Sequence, residues 1–284
     1  MKILAIGDFD GKFPKKYLDI IKKEKIDLVV SDGDYPPFTL KKEFFEFVYA
    51  NPFPVELWDV VGKKRYKEAV KKDHLEGESV MKKLNLLPIP VLSVLGNHDY
   101  QIPDDCSDIS RSSDWDWSVQ EMKFLSNAMK KYKHIKRIDY SYAKVGGFVF
   151  IGARGSSFPG QVKSKGYKKH KAKLDKLFKT FSKENKQGKV IFVSHNSPHN
   201  TKLDLITSKE AHSDAKGRHF GSKMFRRVLD KHQPILSISG HIDEAWGKQN
   251  LGRTLAVNCG AVHDGRGAVI DVKESGKIKV RFIK

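Results

Sequence analysis

The chain has 284 residues, enough for a large buried core, and it carries a formal net charge of +19. Two cysteines, Cys106 and Cys259, exclude a disulfide framework, and no apolar run approaches the roughly 18 residues of a membrane span. The charge favours an anionic partner but names none, because lysine pairs such as Lys15-Lys16, Lys71-Lys72 and Lys168-Lys169 lie in separate segments and read as a solvated surface.

The first apolar run, Lys2 to Ile6, reads as a strand and leads directly into Gly7-Asp8-Phe9-Asp10-Gly11, so no cleavable signal is expected before the working part. Helical spacing follows over Lys15 to Glu24. Further strands are expected at Leu28 to Ser31, Val91 to Leu95, Phe148 to Ile151, Val190 to Ser194, Ile235 to Ser239, Thr254 to Asn258, Ala268 to Val272 and Ile278 to Ile283. These runs are short, rich in Val, Ile and Leu, and bounded by Gly, Asn or Asp, as buried strands are. Helices are expected at Leu174 to Asn185 and at Ser222 to Lys231, the latter with a capping serine and a basic last turn. Periodicity alone gives a mixed α/β domain.

Two stretches exceed the needs of such a core and are expected to be insertions. Residues 35–88 carry Phe44, Phe45, Phe47 and Val48 at helical spacing, then a basic helix around Arg65 to Lys72. Residues 100–142 run from an acidic turn, Asp104-Asp105, into a helix begun near Ser112 or Ser113 and continuing through Phe124 to Tyr132. Trp58, Trp115 and Trp117 fall in these stretches and read as packing within the insertions rather than as base-stacking platforms. The motifs run nearly end to end with no linker, so 1–284 is read as one elaborated domain.

The chemistry lies at the strand ends. Asp8 and Asp10, Gly33-Asp34, Gly96-Asn97-His98-Asp99, Ser194-His195-Asn196 and Gly240-His241-Ile242-Asp243 each follow an apolar run and are rich in metal-ligand types. This ordered set resembles the calcineurin-like metallophosphoesterase superfamily, whose pattern reads D-x-H, G-D, G-N-H-D/E, H and G-H-x-H. The match spans residues 7–243, with two departures: Asp10 and Asp243 stand where the family has histidines.

The resemblance implies a four-layer α/β/β/α sandwich and two divalent metal ions about 3.5–4 Å apart, activating a hydroxide. It implies Asp34 as the bridging ligand, with Asp8, Asp10 and Asp243 at the first position and Asn97, His195 and His241 at the second. An all-carboxylate first position favours Mn²⁺, with Mg²⁺, Fe or Zn²⁺ as alternatives. His98 would stabilise the phosphate or protonate the leaving oxygen, oriented by Asp99.

Taken singly, an aspartate after a strand is more often a turn or cap residue, and a lone histidine more often a hydrogen-bonded partner, than a ligand. It is the ordered set that carries the reading. His199, His219 and His263 lie near motif loops and read as structural, Arg154 is a candidate for pairing with a substrate anion, and His74, His134, His170 and His232 read as surface residues. The leading function is hydrolysis of a phosphomonoester or phosphodiester. A nuclease is the alternative that the basic charge suggests, and a non-catalytic scaffold of the same fold is the alternative that the two departures suggest.

Overall fold

The computed structural model describes residues 1–49, 51, 55–99, 115, 117, 123–156, 162–209 and 211–284. Strands β1 (Lys2–Ile6), β2 (Leu28–Ser31), β3 (Val91–Ser93) and β4 (Ile135–Arg137) pair in parallel. Strands β11 (Gly267–Val272) and β12 (Ile278–Ile283) extend this first sheet antiparallel, in the order β12-β11-β1-β2-β3-β4. The second sheet has the order β5-β6-β7-β8-β10-β9. Its parallel strands are β6 (Phe148–Ala153), β7 (Val190–Asn196), β8 (Leu236–Gly240) and β10 (Thr254–Asn258). Its antiparallel edges are β5 (Tyr142–Val145) and β9 (Gly247–Leu251).

Side chains alternate along each strand, and both faces of the inner strands are buried. Ile3 and Ala5 of β1, Leu28 and Val30 of β2, and Ile191 and Val193 of β7 meet between the two sheets. On the outer face of the first sheet, Leu4 and Ile6 pack under α1 (Lys15–Glu24), α2 (Lys63–Asn85) and α3 (Phe124–Met129). On the outer face of the second, Val149, Ile151 and Phe192 pack under α4 (Lys165–Thr180) and α5 (Lys223–His232). Burial on both faces explains the unbroken apolar runs, and the result is the expected four-layer sandwich.

Several boundaries move for physical reasons. Helix α4 begins at Lys165 instead of near Leu174, because Ser164 caps it by accepting the Tyr167 N–H and because Tyr167, His170, Leu174 and Phe178 form its buried face beneath a lysine-rich exterior. It ends at Thr180, and Ser182–Lys186 forms a separate short helix. Helix α5 has the expected cap, with Ser222 Oγ accepting the Phe225 N–H. Strands β4, β5 and β9 were not expected: each lies at a sheet edge and buries a single residue.

Residues 35–88 serve two purposes. The first half of α2 packs Tyr66, Ala69 and Val70 with Leu40 and Leu57 in an outer cluster that Trp58, Trp115 and Trp117 join, which is the packing role expected for the tryptophans. Its second half places Val80, Met81 and Leu84 in the core of the first sheet, so it is also the crossover that the parallel β2–β3 pair requires. Phe44–Tyr49 forms a π-helical turn. The turn at Asp104-Asp105, the helix start near Ser112 and Cys106 lie outside the described residues. No described helix is long and apolar enough to cross a membrane.

Candidate metal centre

Asp8, Asp34, Asn97, His195 and His241 all stand at or just beyond the C-terminal ends of parallel strands, β1, β2, β3, β7 and β8 respectively. The backbone bends sharply there. Asp8, Asp10, Asp34 and His241 adopt φ of 49°, 50°, 53° and 74°, a left-handed conformation that short aspartates tolerate but that costs free energy for most residues. Hydrogen bonds over-determine the bends: Asp8 N–H donates to Gly33 O and Phe9 N–H to Asp34 O, while His241 N–H donates to Asp8 Oδ2. At His195 the pairing of β7 with β8 shifts register between Val193 and Asn196, a bulge that re-aims this side chain.

These bends bring four donors together. His195 Nε2 lies 2.7 Å from Asn97 Oδ1, 3.0 Å from His241 Nδ1 and 3.4 Å from Asp34 Oδ2. Asp8, Asp34 and His195 also offer ligand atoms within 4.8 Å of one another. The other nitrogen of His195, Nδ1, is 2.9 Å from the Asp32 carbonyl, which can only accept, so Nδ1 carries the proton. Burial holds the His195 imidazole below its ordinary pKa and holds His241, beside His195, down to about 3, so both rings are neutral. Nε2 of His195 therefore presents a lone pair to the oxygen of Asn97. Lone pairs converging in a buried pocket, with a backbone carbonyl fixing the tautomer, are the donor set of a cation site, and the residues fit a divalent ion.

Two elements keep this cluster in place. Gly96 leaves room for the Asp34 carboxylate, since a Cβ at position 96 would lie 1.9 Å from Asp34 Oδ1. That same oxygen accepts the His98 N–H at 2.8 Å. Asp99 departs from the expectation that it orients the His98 ring. Its buried carboxylate instead accepts the N–H groups of Gly96, Asp34 and Tyr35 at 2.7–2.8 Å, binding the β2 and β3 loops to each other. The His98 ring is held edge-on by Phe38 of the insertion, with ring centroids 5.1 Å apart.

The acids that the resemblance assigns to the first position are arranged differently. Asp8 is buried and its carboxyl is pushed well up, first by burial and then by the charges of Asp243, Asp32 and Asp34. Asp32, which in sequence reads only as part of a strand end, is fully buried. It accepts from Cys259 Sγ through Oδ2 at 3.0 Å, and its Oδ1 has no hydrogen-bond partner among the described residues. Gly240 gives both acids their space: a Cβ there would come within 2.5 Å of Asp8 Oδ2 and 2.6 Å of Asp32 Oδ2. Asp243 and Asp10 lie outside the Asp8, Asp34 and His195 group. Burial pushes the Asp243 carboxyl up to about 6, and its Oδ1 is buried without a hydrogen-bond partner among the described residues. Asp10 makes no side-chain hydrogen bond or ion pair with a described residue.

Elsewhere the structure sorts the remaining candidates. His199 and His219 face the buried Asp204, with His219 Nδ1 at 2.8 Å, and so help pin the 197–222 loop. Burial raises the Asp139 carboxyl, and the charge of Arg137, then that of Arg154, works against this. His74 and His170 are buried, contrary to the surface reading. His74 stacks on Phe124 with centroids 4.9 Å apart and His170 on Tyr140 at 4.2 Å, because each lies on the inner face of its helix. His232 reaches Asp175 at 2.6 Å.

The model of one family, calcineurin-like phosphoesterase, matches residues 1–244. One solved crystal structure is 19% identical over 100% of this chain and 99% of its own, with a TM-score of 0.64. The crystal structure of TT1561 of Thermus thermophilus is 13% identical over 99% of this chain and 97% of its own, with a TM-score of 0.55. At these identities the likeness establishes the fold alone. No curated protein matches the chain in sequence. The family match covers every motif that builds the convergent cluster, and the chain belongs to the calcineurin-like phosphoesterase family.

Proposed function

We propose that the chain hydrolyses a phosphomonoester or phosphodiester in a metal-dependent reaction, with Asp34, Asn97, His195 and His241 holding one divalent ion and Asp8, Asp34 and Asp243, with Asp10 at the rim, addressing a second. The observation that carries this reading is the convergence on His195 Nε2, where a neutral imidazole and an amide oxygen meet at 2.7 Å with no proton between them. When bound, the ions supply Lewis-acid stabilisation of phosphoryl charge and lower the pKa of water. The carboxylates Asp8, Asp34 and Asp243 suit Mn²⁺ better than Zn²⁺.

His98 is the residue for proton delivery to the leaving oxygen. Its support is the Phe38 ring at its edge and the bond from its backbone N–H to Asp34, which together hold the imidazole beside the cluster without making it part of the donor set. Asp99 acts one step back by fixing the loop that carries both Asp34 and His98. Two cysteines in the chain and the buried Cys259 thiol, hydrogen-bonded to Asp32, support a cytoplasmic setting. The test is reconstitution of the metal-free protein with single divalent ions against one chromogenic phosphomonoester and one phosphodiester. Metal-dependent hydrolysis of either supports the reading, and bound metal without hydrolysis of either supports a scaffold.

A further inference from the structure

In the family pattern the first metal position includes two imidazoles, and this chain has Asp10 and Asp243 at both places. We propose that His263, from the loop after β10, supplies an imidazole to that position beside Asp243. The inference rests on the metal-centre reading above and adds a residue outside the five motifs.

The loop carrying His263 is fastened to the Asp8 loop. Val262 N–H donates to Gly7 O at 2.9 Å, His263 N–H to Asp8 O at 3.3 Å, and the His263 ring Nδ1 lies 3.0 Å from the same Asp8 carbonyl. A carbonyl can only accept, so Nδ1 bears the proton and Nε2 bears the lone pair of the neutral ring. This is the arrangement of His195, whose Nδ1–H is held by Asp32 O while Nε2 turns to the cluster. Metal-binding histidines nearly always donate their other ring N–H to a carbonyl or carboxylate, which fixes tautomer and direction. In this fold the backbone of one acid of the centre would orient the imidazole beside it.

Two acids stand near that nitrogen. His263 Nε2 is 3.7 Å from Asp243 Oδ2 and 3.6 Å from Asp264 Oδ1. Both distances exceed a hydrogen bond. Two donors that each lie about 2.1 Å from one ion at angles of about 90–110° are themselves about 3.0–3.5 Å apart, so a shift of a few tenths of an ångström would let Asp243 and His263 share a cation. Asp243 is prepared for this. Arg266 Nη1 binds its backbone carbonyl at 2.7 Å and steadies the main chain, while Oδ1 of its carboxylate is buried without a partner among the described residues. The His263 side chain is 27% exposed, in contrast to the buried, ring-stacked His74 and His170, so an ion can reach it.

The test uses the full-length metal-free protein, titrated calorimetrically with Mn²⁺ and, separately, with Zn²⁺. His263→Asn keeps an amide N–H where Nδ1–H binds the Asp8 carbonyl but has no atom at Nε2; His263→Ala removes both; His241→Ala reports on the other position. The expected result is two ions per wild-type chain. His263→Asn should weaken one of them by tenfold or more and leave the other unchanged, and His241→Ala should weaken the complementary one. His263→Asn and His263→Ala binding both ions as the wild type does would overturn the role of His263 and leave the metal centre standing. A wild type that binds no ion would overturn both. Should His263→Ala fail to fold, His263→Asn and a ¹⁵N-histidine spectrum of the Zn²⁺-loaded wild type decide: a His263 Nε2 resonance unmoved with two ions bound overturns the proposal.

Discussion

His195 Nε2 and Asn97 Oδ1 face each other at 2.7 Å as two lone-pair donors, because the only proton on the neutral imidazole is committed to the Asp32 carbonyl on the opposite nitrogen. The same carbonyl bond links the second sheet to the first, so the donor set is assembled by the packing of the two sheets. The centre depends on the inter-sheet core of Ile3, Val30, Ile191 and Ile238 as much as on its own residues.

That dependence makes Gly96 a sensitive position. Gly96→Ala would drive a methyl into Asp34 Oδ1, displacing the carboxylate that also receives the His98 N–H. The variant should fold, and its metal affinity should fall by tenfold or more, measured by calorimetric titration beside a circular dichroism spectrum. Unchanged affinity would show that Asp34 is not fixed by this contact.

His98→Ala should lower turnover by about 10²-fold or more while metal content stays close to that of the wild type, since the ring flanks the donor set and takes no part in it. Metal analysis of the purified variant beside its kcat separates the two effects. Loss of metal in step with activity would move His98 into the binding shell.

Legibility followed burial and order. The inner strands β1, β2, β7 and β10 could be read because two buried faces leave unbroken apolar runs, whereas β5 and β9 escaped because each edge strand buries a single residue. The residues at the candidate site were legible as a set, since each closes a strand. Asp32 was not, because nothing in Ser31-Asp32-Gly33-Asp34 says that one carboxylate turns between the sheets toward Cys259 while its neighbour turns to His195. Nor could the sequence tell that Asp99 spends its carboxylate on three backbone amides: that follows from how tightly the β2 and β3 loops approach.

The buried acids set the pH response of the metal-free protein. Asp99 is pushed up to about 8 by burial and by Asp34, and burial also raises Asp8 and Asp32 well above 3.8. Their native forms keep protons that the unfolded chain has released, so stability falls as pH rises toward 8. His241, held down to about 3 by burial and His195, acts in the opposite sense only below its ordinary 6.5. The thermal midpoint of metal-free protein should therefore fall between pH 6.5 and 8, and Asp99→Asn should flatten that slope. A midpoint that rises across the window contradicts the assignment.

The positive charge makes a separate prediction. With +19 spread over many segments, binding to duplex or single-stranded nucleic acid should be weak and should fall steeply as salt increases, because each neutralised phosphate releases counterions. Fluorescence anisotropy across a salt series tests this. A complex that survives physiological salt, with metal-dependent cleavage, would favour the nuclease.

The cluster of Asp8, Asp34, Asn97, His195 and His241 is proposed to hold metal for phosphoester hydrolysis. Its most direct test is a titration of metal-free protein with Mn²⁺, following ion occupancy and hydrolysis of p-nitrophenyl phosphate and bis(p-nitrophenyl) phosphate in the same samples, with Zn²⁺ in parallel. Hydrolysis of at least one substrate should rise with occupancy, Mn²⁺ should activate more than Zn²⁺ at matched occupancy, and His241→Ala should lower both occupancy and rate. Full occupancy with neither ester hydrolysed, or hydrolysis indifferent to metal, would contradict it.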